Sequence, residues 1–243
     1  MDRTVDKWFS PSLNKEMEIA VYGHYGLALL MIPTAASGYL EYEENGLINS
    51  LKNQIDEGKV KVFCINSINN ESWLNPYMSG FEQGVRHEAF NDYVYKEVVP
   101  YIKNATSKEN MIITCGASFG ALHAANLFFK QPDLIHGIIG LSGCYDLTEY
   151  TNGFYDNNVY FNSPVHYLPN LKAEWHLNQC RQSRHIHFVT GSGEYERPDY
   201  SRQISGILNS KNIPHELDIW GADMPHEWWV WHQMLPHFID TRF

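Results

Sequence analysis

Five residues, Gly116-Ala117-Ser118-Phe119-Gly120, leave the chain around them few folds to choose from. The run before them, Met111 to Cys115, is apolar and β-branched and predicts a buried strand. The Ala-rich run after Gly120 predicts a helix. A strand that turns directly into a helix needs small residues on both sides of the turn, and the residue at its apex is held strained with its side chain exposed. That residue is Ser118. The helix start adds free backbone N–H groups and a positive dipole end. The N–H of Phe119 is placed to face a developing oxyanion. A G-x-S-x-G pattern also arises by chance, and the bland alternative is an inert serine at a glycine-flanked turn. The strand before it and the helix after it are the context that the chemical reading requires.

The rest of the chain supplies more of the same alternation. Glu18 to Tyr22, the turn Gly23-His24-Tyr25-Gly26 and the strand Leu27 to Ile32 predict an opening hairpin. Gly46 to Lys59 predicts a helix with Leu47, Ile48, Leu51 and Ile55 on one face. Val60 to Ile65 predicts a strand, and Phe81 to Lys103 a long helix. Strands at Ile135 to Leu141, His185 to Thr190 and His215 to Trp220 follow. Helices at Tyr200 to Asn209 and Glu227 to Ile239 complete the pattern, with Pro236 late in the last. This alternation implies an α/β domain with a mostly parallel central sheet of about eight strands, helices on both faces. A single domain over 1–243 is expected, since no repeat or linker interrupts the chain. Residues 145–184 are expected to be an irregular, aromatic-rich insertion near the active site, carrying Tyr150, Phe154, Tyr155, Tyr160, Phe161 and Tyr167. Such a segment would form a partial lid or pocket wall, or else an Ω-loop packed on its own aromatics.

Composition excludes several classes of partner. Lys and Arg number 18 against 28 Asp and Glu, a formal net charge of -10. Without a basic stripe, that surface repels nucleic acid and anionic lipid. The longest apolar run, Leu27 to Pro33, is too short to span a bilayer. No basic region followed by an apolar stretch opens the chain, so no secretion signal is read and a cytoplasmic location is expected. Cys64, Cys115, Cys144 and Cys180 form no C-x-x-C pair and read as reduced, buried thiols. The acceptor patterns Asn70-Glu71-Ser72 and Asn104-Ala105-Thr106 are then chance matches. A homodimer is one assembly such a chain can form.

A serine hydroxyl needs a base, and the base needs a carboxylate to orient it. On sheets of this kind the chain order is Ser, acid, His. His226, in Met224-Pro225-His226-Glu227-Trp228-Trp229, fits the loop between the last strand and the closing helix. His232 and His237 fall inside that helix, and His215 begins a strand. His226-Glu227 starts like a zinc-protease H-E-x-x-H motif, but its fifth position is Val230 and no metal is expected. His185 and His187 share a strand face without a third ligand nearby. The loop after His185 to Thr190 offers Glu196, Glu194 and Asp199 as the acid, with Glu196 favoured and Glu194 the first alternative. Asp146 after the earlier strand is a further candidate. The small residues of Pro33-Thr34-Ala35-Ala36-Ser37-Gly38 let a second oxyanion N–H, that of Ala35 or Ala36, come close.

With these residues in place, the chain resembles the α/β-hydrolase serine esterases of the esterase D / putative esterase superfamily. The likeness spans nearly the whole chain. It rests on Pro33-Thr34, Glu71-Ser72-Trp73, Gly116-Ala117-Ser118-Phe119-Gly120, Ser142-Gly143-Cys144-Tyr145-Asp146 and His226-Glu227-Trp228. The resemblance implies an α/β-hydrolase fold with Ser118 as nucleophile, His226 as base and an acid in the Glu194–Glu196 loop. It implies hydrolysis of small or sugar-linked acyl esters without metal or organic cofactor. An acyltransferase of the same fold, or a hydrolase-fold scaffold that has lost activity, is the alternative. A Glu in place of the commoner Asp is the one departure from the family pattern.

Overall fold

The computed structural model describes residues 1–243. Its centre is one eight-stranded sheet: β1 Arg3–Ser10, β2 Lys15–Tyr22, β3 Leu27–Ile32, β4 Val60–Ile65, β5 Ile112–Ala117, β6 Gly137–Leu141, β7 His185–Thr190 and β8 Glu216–Ile219. Their order across the sheet is β1-β2-β4-β3-β5-β6-β7-β8. From β4 to β8 every pairing is parallel, while β2 runs antiparallel to both β1 and β4. The longer helices are α1 Gly80–Tyr93, α2 Phe119–Lys130, α3 Glu174–Gln182, α4 Pro198–Ser210 and α5 Trp228–Arg242.

Both faces of the sheet's central strands, β3 to β7, are buried, which is what continuous apolar strands require. Along β3 the side chains alternate strictly. Ala28, Leu30 and Ile32 join a core of 36 residues on one face. Leu29 and Met31 join a core of 24 on the other, with Val230, Met234 and Phe238 of α5. Truncating Leu29, Leu30, Met31 or Ile32 to Ala would cost about 2–5 kcal/mol.

Three expectations need correction. The opening hairpin is β1–β2, with Arg3 opposite Tyr22, and not β2–β3. β3 lies on the far side of β4. The link from β2 to β3 must therefore pass the start of β4, and it does so at Gly26, with φ of 112°, where a Cβ would stand 2.5 Å from the Lys59 carbonyl. β1 gave no apolar signal because it is an edge strand whose residues are mostly exposed.

The long helix from Phe81 is real but interrupted. α1 passes through a π-helical turn at Val94–Val98 into Val99–Ala105. Pro100 has no N–H for the α-helical ladder, and the wider turn before it absorbs the misfit.

Residues 145–184, expected to be irregular, hold short helices at Asn157–Phe161 and Pro164–Tyr167 and the nine-residue α3. Asp156 caps the first by accepting from the Val159 N–H at 2.9 Å. These helices are short and polar, so their apolar periodicity is too brief to stand out.

Candidate active site

The carboxyl ends of the parallel strands meet on one side of the sheet, the usual place for ligands in open α/β sheets. Ser118 follows β5 with φ of 54° and ψ of -122°, a left-handed conformation for a residue with a side chain. Its neighbours make the turn feasible. A Cβ on Gly116 would stand 2.3 Å from the Gly120 carbonyl, and one on Gly120 would stand 2.4 Å from the Pro33 oxygen. The two glycines therefore let β5, α2 and the end of β3 converge. Ser118 N–H donates to the Leu141 carbonyl at 2.9 Å, tying the turn to β6. Its side chain is half-buried and makes no hydrogen bond. The N–H of Phe119, at the start of α2, has no acceptor within the protein.

The loop after β3 is held from two sides. Thr34 gives both its N–H, at 2.8 Å, and its hydroxyl to the Glu41 carboxylate. Asn69 Nδ2 donates to the carbonyls of Thr34, at 3.5 Å, and Ala35. The N–H groups of Ala35 and Ala36 have no acceptor. Ala35 lines the same cleft as Ser118 and His226, while Ala36 stands outside its lining.

Of the four candidate carboxylates, one reaches His226. Glu196 Oε2 lies 3.5 Å from His226 Nδ1, with the carboxylate almost wholly buried. Its oxygens also accept from the hydroxyl of Ser142, from Thr190 Oγ1 at 2.9 Å and from the Gly191 N–H at 3.3 Å. Burial pushes the Glu196 carboxyl up. The donors His226, Ser142 and Thr190 outweigh it and hold the group below the ordinary Glu range. Glu194 is exposed and meets His226 only through its backbone, its carbonyl accepting from the His226 N–H at 3.0 Å. Asp199 is exposed and pairs with Arg202 at 2.8 Å. Asp146 caps the turn at Leu147–Tyr150, accepting from Thr148 N–H at 2.9 Å.

Two residues given no role in the sequence reading complete this corner. Trp231 Nε1 donates to Ser142 Oγ at 3.0 Å, and its ring meets the His226 ring edge-on at 5.1 Å. Ser142 itself sits at the end of β6 with φ of 49°. The sequence offered one hint of it, a Ser-Gly pair ending a strand. The other histidines lie elsewhere: His232 bonds the Asn45 carbonyl at 2.7 Å, and His187 pairs with Glu216 at 3.1 Å.

The cleft over Ser118 and His226 has a volume of about 410 Å³ and opens to solvent. Its walls carry Glu41, Glu44 and Glu227, together with Asn45, Trp228 and Trp231, and no Lys or Arg. No residue of 145–184 lines it. That segment instead buttresses the turn from behind. Tyr150 stacks on Phe119 with centroids 3.9 Å apart, and Leu147 and Val159 join Phe119 and Trp73 in a small core. Tyr150, Phe154 and Tyr167 are used in packing, and the exposed Tyr155 and Phe161 stand outside the cleft, which corrects the expectation of a lid or pocket wall.

An Nδ1–H given to Glu196 leaves His226 Nε2 unprotonated and able to take a proton. A serine on a strained turn, an oriented imidazole and the loop residue Ala35 with its free N–H share one cleft, and the free Phe119 N–H follows the serine directly, an arrangement suited to acyl transfer. The sequence matches no protein-family model and no curated protein. Solved structures do share its architecture. A ferulic acid esterase superposes with a TM-score of 0.74 at 16% identity, covering 100% of this chain and 99% of its own. S-formylglutathione hydrolase from Staphylococcus aureus gives 0.72 at 15% identity, over 98% and 95%. S-formylglutathione hydrolase from Agrobacterium tumefaciens gives 0.73 at 12% identity, over 98% and 93%. The chain has the α/β-hydrolase fold.

Proposed function

We propose that this protein is a serine carboxylester hydrolase with Ser118 as nucleophile, His226 as base and Glu196 as the acid. In this reading Ser118 Oγ attacks the ester carbonyl while His226 Nε2 takes its proton. The N–H groups of Phe119 and of Ala35 or Ala36 hold the oxyanion. His226, now an imidazolium facing Glu196, returns the proton to the departing alcohol, and an acyl-enzyme remains. A water deprotonated by the same nitrogen then releases the acid. The observation that carries the reading is the buried Glu196 carboxylate facing His226 Nδ1 across the cleft from the strained Ser118. An inert scaffold has no need of an enclosed charge beside a strained serine.

The structural likeness to a ferulic acid esterase and to S-formylglutathione hydrolases puts feruloyl esters and S-formylglutathione first among the substrates to screen. The cleft's carboxylates and absence of cations favour a small or sugar-linked acyl ester over the anionic glutathione thioester. Four free, buried cysteines accord with a reducing, cytoplasmic setting. No helix is long and apolar enough to cross a membrane.

A fluorophosphonate probe tests the nucleophile. It should label the wild type on Ser118, and Ser118→Ala should remove labelling and esterase turnover while leaving the melting temperature near that of the wild type. An unlabelled wild type, or labelling that persists in Ser118→Ala, would overturn the assignment.

A further inference from the structure

The reading above leaves a buried polar pair without a role. His123 Nε2 lies 2.9 Å from Asn69 Oδ1, and both residues are about 2% exposed. Neither touches the cleft. A satisfied hydrogen bond in an apolar core contributes on the order of 1 kcal/mol, and two well-packed apolar residues would serve stability as well. What sets the pair apart is what lies at each end.

At one end, Asn69 gives its amide protons to the carbonyls of Thr34 and Ala35. A trans peptide points its C=O and the following N–H in opposite directions. With both carbonyls drawn toward Asn69, the N–H groups of Ala35 and Ala36 must face away from it. Thr34 N–H is already committed to Glu41. At the other end, the His123 ring packs on the Phe119 ring with centroids 4.4 Å apart, one helical turn along α2. Phe119 supplies the other free N–H.

The tautomer follows from the network. Asn69 spends its NH₂ on carbonyls, so its Oδ1 must accept, and His123 Nε2 must carry the hydrogen. Burial, with the neighbouring His87, holds the His123 pKa well below its ordinary value. The imidazole is thus a neutral donor across the working pH range.

We propose that Asn69 and His123 are positioning residues that hold the two halves of the oxyanion hole, the Thr34–Ala36 loop and the N-terminus of α2, in register. His123 fixes which way the Asn69 amide faces, and Asn69 fixes which way the loop's N–H groups face. This inference rests on the serine hydrolase reading.

The test compares Asn69→Leu, which keeps the volume and donates nothing, with His123→Phe and His123→Gln. Each is assayed with p-nitrophenyl acetate and with an aryl trifluoromethyl ketone, which adds to the serine and mimics the oxyanion. Loss of one oxyanion donor lowers kcat about 10²–10³-fold. Asn69→Leu and His123→Phe should lower kcat by about 10²-fold with KM changed less than about threefold. Affinity for the ketone should fall by the same factor as kcat/KM, while affinity for the product carboxylate stays put. His123→Gln, whose amide can donate to Asn69, should recover most of the loss. A folded Asn69→Leu or His123→Phe with kcat within about threefold of wild type would overturn the proposal. So would equal weakening of ketone and product binding. The two variants alter different elements, so misfolding of one leaves the other decisive. Wild-type labelling that depends on Ser118 marks such a failure as this inference's own. Its absence would sink the parent reading and this one with it.

Discussion

A carboxylate as enclosed as that of Glu196 is costly unless its lone pairs are filled. Four donors fill them, and three of these, His226, Ser142 and Thr190, hold its pKa below the ordinary Glu range against the opposing effect of burial. The sign of the pH dependence follows. A carboxyl whose folded pKa is depressed stabilises the fold above its unfolded pKa, near 4.3, and loses that contribution as pH falls through the folded value. Glu196→Gln should therefore show a shallower loss of urea midpoint than wild type between neutral pH and about pH 3. In turnover, Glu196→Gln should cost up to about 10⁴-fold in kcat through lost orientation of His226. Glu194→Gln should cost a few-fold at most, because only its backbone carbonyl meets His226. Near-wild-type kcat in Glu196→Gln would remove it as the acid. The Trp231 N–H occupies a lone pair of Ser142 Oγ and leaves the hydroxyl proton for Glu196. Trp231→Phe should lower kcat about tenfold through this loosened support, as loss of such outer partners costs about 10–100-fold in metal sites. Unchanged kcat in Trp231→Phe would make the contact purely structural. Ser118 was legible in the sequence because its signal is local: strand, glycine, serine, glycine, helix. The support around Glu196 was not, because its partner Ser142 and the Trp231 that donates to Ser142 lie 89 residues apart and meet only through folding.

Among the elements, the parallel strands and the longer helices were readable, while the antiparallel edge of the sheet was not. β7 was expected at His185 to Thr190, and the strand spans His185–Thr190. β1 was invisible because an edge strand exposes most of its residues, and β2 was given the wrong partner because adjacency in sequence favours a hairpin. The shape of the Ser118 turn depends on close approach of three elements, which yields a direct prediction. Gly120→Ala would push a Cβ to 2.4 Å from the Pro33 oxygen, a backbone atom that cannot swing aside. It should destabilise the protein by about 1–3 kcal/mol and reduce fluorophosphonate labelling at the same time, since the strain falls on the turn itself. Gly206→Ala, in the middle of α4 where a Cβ meets nothing within 4 Å, serves as the control. It should be neutral or stabilising by about 1 kcal/mol. Equal melting temperatures for the two variants would refute the packing argument.

At the scale of the whole molecule, charge bears on the choice of substrate. The net charge of -10 gives the protein an overall negative field, and Glu44 and Glu227 stand exposed at the cleft with no cation among its walls. A unit charge on the substrate about 7 Å from each carboxylate gains or loses about 0.6 kcal/mol per pair in water. Two such carboxylates give about 1.2 kcal/mol. A cationic alcohol moiety should then raise kcat/KM several-fold over a neutral isostere, and an anionic one should lower it by a similar factor. The comparison is among acetate esters of matched size: one carrying a quaternary ammonium, one a neutral branched alkyl group, one a carboxylate. The preference should shrink as salt rises from about 0.02 M to 0.5 M, because the screening length falls from tens of ångströms to a few. Glu44→Gln with Glu227→Gln should abolish most of it while leaving kcat for the neutral ester intact, since neither side chain hydrogen-bonds Ser118 or His226. A cleft indifferent to substrate charge at low salt, or one that prefers the anionic ester, would show that the bound acyl and alcohol groups do not lie against Glu44 and Glu227 and that the substrate enters from another side.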